Sequence, residues 1–122
     1  MTEKERNILN EANIDVEDAM GRFLDNEELY IKFLNKFTED ENFSKMREFL
    51  INNNVEDAFG CAHTVKGVAA NLSVNGLYQA MIPFVEYLRD GNLTEAKNLF
   101  PEVEEAYQCA VHAIIMRHNY EQ

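Results

Sequence analysis

One segment of the sequence combines a nucleophile, a cation and two glycines at helical spacing. Lys66 follows His63 by three residues and Gly67 follows it by four, while Gly60 precedes it by three. Imidazole is partly neutral near pH 7, so a ring nitrogen can attack phosphorus without a separate base. Lys66 is the only Lys or Arg between Arg47 and Arg89, and a single ammonium beside the ring would offset the charge of an anionic adduct. These residue types favour phosphoryl chemistry at His63.

The helix predicted over Val55 to Leu72 must point this group toward solvent. On a helical wheel the side opposite His63 is small and apolar, with Cys61 and Val68 at its edge, and it consists of Ala58, Ala62, Val65, Ala69 and Leu72. The side around His63 consists of Glu56, Phe59, Gly60, Lys66, Gly67 and Ala70. Each helical glycine costs about 1 kcal/mol relative to alanine. Because this is not the core side, we interpret the glycines as clearance for the backbone of another protein.

The rest of the chain predicts further helices. Asp15 and Asn26 are predicted N-caps, and Asn52 to Asn54 form a turn with a ready cap. A break at Thr38 to Asn42 precedes a helix over Ser44 to Ile51. A later helix begins near Asn75 or Gly76, contains Pro83 and ends at Asp90-Gly91. The last one covers Asn92 to Asn119, or Pro101 divides it into Leu93 to Phe100 and Glu102 to His118. The Phe and Met stripes are predicted core, and they include Phe23, Phe33, Phe37, Phe43, Met46 and Phe49.

Short connections predict that successive helices pack antiparallel. The fold class is therefore all-α, an up-and-down four-helix bundle with additional short N-terminal helices. We expect one domain over residues 1–122, because no linker, repeat or low-complexity tract interrupts the chain.

Composition excludes several classes of partner and site. A net charge of −11, from 22 acidic and 11 basic residues, disfavours nucleic acid and anionic membranes. There is no signal-peptide pattern and no membrane-spanning apolar run, so a cytoplasmic protein, monomeric by default, is expected. Cys61 and Cys109 form no disulfide framework. Cys61 and His63 point to different sides of the helix, so neither a metal site nor a Cys–His nucleophile is expected. His112 and His118 are expected to be ordinary surface residues.

The run from Ala62 to Leu72, AHTVKGVAANL, resembles the signature of histidine phosphotransfer (HPt) domains, which is roughly A-H-x-L-K-G-x-A-x-x-L-G. A weaker resemblance extends over about residues 15–117, including Val85-Glu86 and the turn at 89–92. Ser73 departs from the pattern where glycine is usual, which puts the shape of that turn in question. Val65 stands where leucine is commoner, and Pro83 is also unexpected.

The resemblance implies a phosphoryl carrier in a two-component phosphorelay, without autokinase activity and not itself an enzyme. His63 would be the phosphoacceptor, Lys66 an electrostatic helper and Gly67 the residue that gives steric clearance. The partners would be response-regulator receiver domains or a hybrid sensor kinase, and the receiver would supply Mg²⁺, so the chain needs no cofactor or metal of its own. The docking surface would include Phe59, Gly60, Ala70 and Asn71.

Two other classes of function compete with this interpretation. An enzyme is disfavoured, because the sequence has no H-E-x-x-H, P-loop or G-x-S-x-G motif. A non-catalytic helical interaction module, including an HPt-like domain that has lost its phosphoryl role, is the stronger rival. The presence of His63, Lys66 and Gly67 together argues against such a loss.

Overall fold

The computed structural model describes residues 1–121, and this part of the chain is helical without a strand. Its seven helices are α1 (Glu3–Glu11), α2 (Val16–Arg22), α3 (Glu27–Glu39), α4 (Asn42–Ile51), α5 (Val55–Asn71), α6 (Asn75–Arg89) and α7 (Leu93–Glu121). The all-α class is thereby confirmed. Within the described residues, no helix combines the length and apolar character that a membrane crossing requires.

Side-chain caps fix where several helices begin. Asp15, Asn26 and Asn54 each accept a hydrogen bond from the backbone N–H three residues later, as their positions in the sequence predict. The predicted break after α3 is shorter than expected. Asp40 accepts hydrogen bonds from the backbone and side chain of Asn42, so α4 begins two residues before Ser44.

Neither proline interrupts its helix. Of the two alternatives for the C-terminal segment, the single helix is correct, because α7 continues through Pro101. Pro83 lies inside α6 in the same way. Both proline rings are exposed, so the hydrogen bond that each proline removes is lost on the solvent side, where water can replace it.

The core lies where α5 packs between α4 and α6, and α7 closes it against α6, α3 and α1. An aromatic cluster joins α4 to α7. The rings of Phe43 and Tyr107 are parallel with centroids 3.8 Å apart, and Phe100 packs against both Phe43 and Phe84. Such rings bury a large area and lock the relative position of the helices.

The connection between α5 and α6 is tied to the N-terminal segment. The backbone N–H of Asp15 donates to the carbonyl of Ser73 at 2.9 Å, and Ile14 forms an isolated β-bridge with Val74. The Tyr30 hydroxyl donates to the carbonyl of Leu72 at 2.8 Å. These bonds hold the C-terminal end of α5 in place.

Ser73 adopts the left-handed conformation that favours glycine. Its φ is 56°, and its side chain is buried while its hydroxyl donates to Asp18 at 2.6 Å. The turn therefore keeps the left-handed backbone conformation that a glycine would adopt there, although the residue is a serine. The bond to Asp18 offsets part of the steric cost that a side chain meets in this region.

Candidate functional site

His63 is the central residue of α5, and its side chain is exposed. The opposite side of the helix is buried and consists of Ala58, Ala62, Val65 and Ala69. Cys61 and Val68 are half-buried at the boundary. The orientation predicted from helical periodicity is thus confirmed, and the imidazole faces solvent from the middle of a helix that is packed along its back.

The two glycines beside His63 are exposed and meet no other part of the protein. A Cβ atom added to Gly60 or Gly67 would have no heavy atom within 4 Å apart from its chain neighbours and the adjoining backbone of its own helix. Neither glycine has a positive φ, so the backbone does not require it. Gly21 in α2 has equally open surroundings, and the pair in α5 differs by its position at one turn on either side of His63. The contacts within this chain therefore do not explain why α5 carries them.

Lys66 is half-buried, although an exposed side chain was expected from the wheel. Burial of the aliphatic stem against the helix surface is common for lysine and leaves the ammonium in water. Among residues 1–120, no carboxylate lies at ion-pairing distance from Lys66. Its charge can therefore act on an anionic group held by the neighbouring ring.

The ring of His63 contacts Phe59 in the same helix, and Phe59 in turn contacts Arg89 of α6. The centroids of Phe59 and His63 are 6.1 Å apart, with the planes tilted by 33°. Arg89 at the end of α6 places its guanidinium carbon 5.1 Å from the Phe59 centroid, and Glu86 holds that guanidinium at 3.3 Å. Sequence reasoning did not assign Arg89 to this site, because the spacing within α6 does not show which part of α5 it faces.

An apolar groove lies on the other flank of α5. It has a volume of about 710 Å³ and is lined by Arg22, Phe23, Phe33, Lys36, Phe37, Asp40, Val68, Asn71 and Leu72. Phe33 was predicted to be core, but it is 40% exposed because α3 turns it into this groove. Leu24, which follows the groove residue Phe23 in the chain, is 90% exposed. The groove, which sequence reasoning missed, adds an accessible apolar surface next to the helix that carries His63.

The four predicted docking residues lie on the His63 side of α5 and differ in how far they are buried. Gly60 and Asn71 are exposed, whereas Phe59 and Ala70 are half-buried. Asn71 also lines the groove. The structure therefore places them on one accessible surface, with Phe59 partly covered by Arg89.

The other candidate nucleophiles include both cysteines and His112. Cys61 is half-buried, and burial raises the pKa of its thiol, which disfavours the reactive thiolate. Cys109 and His112 are exposed on α7. In the part of the chain whose side chains the structure describes, residues 1–120, no three side chains from His, Cys, Asp and Glu are grouped in a way that could hold a metal ion.

Comparison with protein-family models, with curated proteins and with solved structures gives no match to this chain. The resemblance to HPt domains consequently depends on the residues from Ala62 to Leu72 and on the geometry around them.

Proposed function

We propose that this chain is a histidine phosphotransfer module of a two-component phosphorelay. His63 accepts a phosphoryl group from the aspartyl phosphate of a receiver domain and passes it to the aspartate of another. The observation that carries the proposal is the environment of the imidazole. It is exposed at the centre of α5, with glycines that meet nothing on either side and a lysine one turn away.

The proposed reaction needs little from this chain besides position and charge. The lone pair of a neutral ring nitrogen attacks phosphorus, the bond from phosphorus to the aspartyl oxygen breaks, and the carboxylate leaves with the electron pair. The second transfer reverses these steps on another aspartate. Lys66 offsets the charge on the phosphoryl oxygens, and Mg²⁺ is held by the receiver. Such transfer depends mainly on alignment and electrostatic stabilisation.

The arrangement of the helices supports the same proposal. We infer that α4 to α7 form an up-and-down four-helix bundle, because each is joined to the next by a short connection and packs against it. The helices α1 to α3 precede this bundle. Within this bundle, the face of α5 opposite His63 is packed along the length of the helix. This packing holds the backbone beneath His63 in place.

The groove gives a receiver more surface to cover than His63 alone. Asn71 lies eight residues after His63, about 12 Å along the helix axis, and it belongs to the groove wall. A domain docked on α5 could cover both. Gly67, between these two points, and Gly60, one turn before His63, would let its backbone approach the helix closely.

The proposal is tested with phosphorylated receiver domains and Mg²⁺. We expect a label on the wild-type protein that is labile in acid and stable in base. His63→Gln should abolish the label, while the matched variant His112→Gln should retain it. Lys66→Ala should slow transfer about tenfold, the equivalent of about 1.4 kcal/mol, and should leave the protein folded. Absence of label with several receivers, or equal labelling of His63→Gln, would contradict the proposal.

The groove also favours the rival function, an interaction module without phosphoryl transfer. The two functions differ in what His63 does. If the chain only binds a partner through the groove, His63→Gln should bind a receiver and Phe33→Ser should not, and no phosphohistidine should form in the wild type. Phosphotransfer to His63 would exclude this alternative.

A further inference from the structure

The flank of α5 that faces the end of α6 contains three groups in contact that come from two helices. His63 and Phe59 belong to α5, one turn apart, and Arg89 comes from the last turn of α6. The ring pair has a centroid separation of 6.1 Å and the cation lies 5.1 Å from the Phe59 ring. Both separations are within the ranges in which aromatic pairs and cation–π pairs attract each other.

Phe59 lies between the other two groups, because it contacts both His63 and Arg89. A pair at positions i and i+4 of a helix can meet in many rotamers, so the ring contact alone would restrict neither side chain strongly. Arg89 adds a restraint from outside the helix, because it lies over the ring of Phe59. Glu86 in turn holds Arg89 through an ion pair one turn earlier in α6. Phe59 is therefore held between a cation and an imidazole and is half-buried.

We propose that Phe59 is a positioning residue for His63 and that Arg89 holds Phe59 in place. This inference rests on the proposed phosphotransfer function. Phe59 does not touch the phosphoryl group. It limits the orientations of the imidazole, so that the ring spends most of its time in the one that presents a nitrogen to an incoming phosphorus.

The expected size of the effect follows from the number of rotamers. A side chain in a helix distributes itself over about two χ1 orientations, because the third clashes with the preceding turn. If only one of them is reactive, fixing the ring in it raises the reactive fraction by at most about twofold. The effect is thus small enough to be separated from the loss of a nucleophile, and it does not depend on which partner brings the phosphoryl group.

Potassium phosphoramidate is a donor that separates positioning from docking, because it is too small to need a protein surface. A ring nitrogen attacks its phosphorus, the P–N bond breaks, and ammonia leaves after protonation. Nuclear magnetic resonance follows phosphorylation of His63 and of the exposed His112 in the same sample. We expect Phe59→Leu to slow His63 by up to about twofold, Arg89→Ala to slow it less, and Phe59→Tyr to react like the wild type. His112 should be unaffected throughout.

The same samples report on the ring without any reaction. In the wild type, the imidazole protons of His63 should be shifted by the neighbouring Phe59 ring, and Phe59→Leu should remove that shift while Phe59→Tyr keeps it. Unchanged imidazole shifts and an unchanged phosphoramidate rate in Phe59→Leu would overturn the proposal. Melting curves show whether each variant is folded.

A receiver domain as donor completes the test. Equal slowing of Phe59→Leu with phosphoramidate and with the phosphorylated receiver supports positioning. Slowing with the receiver alone would mean that Phe59 acts in docking and would overturn the inference. If no receiver labels the wild type while the phosphoramidate differences persist, the proposed function fails and the positioning of the ring stands.

Discussion

The buried and exposed faces of α5 both contain small residues, but for different physical reasons. On the buried face Ala58, Ala62 and Ala69 are 0% exposed, and their size lets α4 and α6 pack closely against the helix. On the exposed face Gly60 and Gly67 have open space around them. The buried alanines are small because the close packing of the helices requires it. Nothing within the chain requires Gly60 and Gly67 to be small.

Enlarging a residue should have the largest effect on the buried face. We expect Ala62→Leu to lower the free energy of unfolding by about 1–3 kcal/mol, because the added methylenes force neighbouring side chains out of their rotamers. Thr64→Leu, a similar enlargement on the exposed side, should change it by less than about 0.5 kcal/mol. Urea unfolding measures both. Equal losses in the two variants would remove the distinction between the faces.

Adding a side chain at Gly67 should change stability and phosphoryl transfer in opposite directions. We expect Gly67→Ala to stabilise the protein by about 0.5–1 kcal/mol and to slow transfer from a receiver. Gly67→Leu should block that transfer while the fold remains. Gly21→Ala, whose surroundings are equally open, should give a similar gain in stability with transfer unchanged. If Gly67→Leu accepts phosphate at the wild-type rate, the clearance interpretation is wrong.

A smaller effect than that of Ala62→Leu is expected at the end of α5, where Ser73 occupies a conformation that suits glycine. Ser73→Gly relieves the left-handed strain, so it should be more stable than Ser73→Ala by about 1 kcal/mol. Ser73→Ala keeps the strain and loses the hydrogen bond to Asp18. Equal stability of Ser73→Ala and Ser73→Gly would show that the backbone at this position is not strained.

That hydrogen bond also makes the stability depend on pH. The Ser73 hydroxyl, followed by the side chain of Arg22, lowers the pKa of Asp18 below its ordinary value of 3.8. A carboxyl whose pKa is lower in the folded protein contributes stability above its unfolded pKa and loses it as pH falls. The stability difference between wild type and Ser73→Ala should therefore be full at pH 6 and should shrink below about pH 4. Chemical unfolding at several pH values measures it.

The sequence by itself determined the local features of this protein. The caps at Asp15, Asn26 and Asn54 and the division of α5 into a buried and an exposed side depend on contacts within four residues, which spacing reveals. For the same reason the exposed position of His63, with Gly60 and Gly67 one turn to either side, follows from the order of the residues in α5.

Only the tertiary structure decided which distant groups meet. Arg89 over Phe59, the hydroxyl of Ser73 on Asp18 and the exposure of Phe33 in the groove all depend on how separate helices are placed. An apolar stripe shows that a helix face is suited to burial, but it does not show which neighbour will cover it or where that cover ends. The continuity of α7 through Pro101 was likewise left open by the sequence, because the lost hydrogen bond is tolerated only where water can replace it.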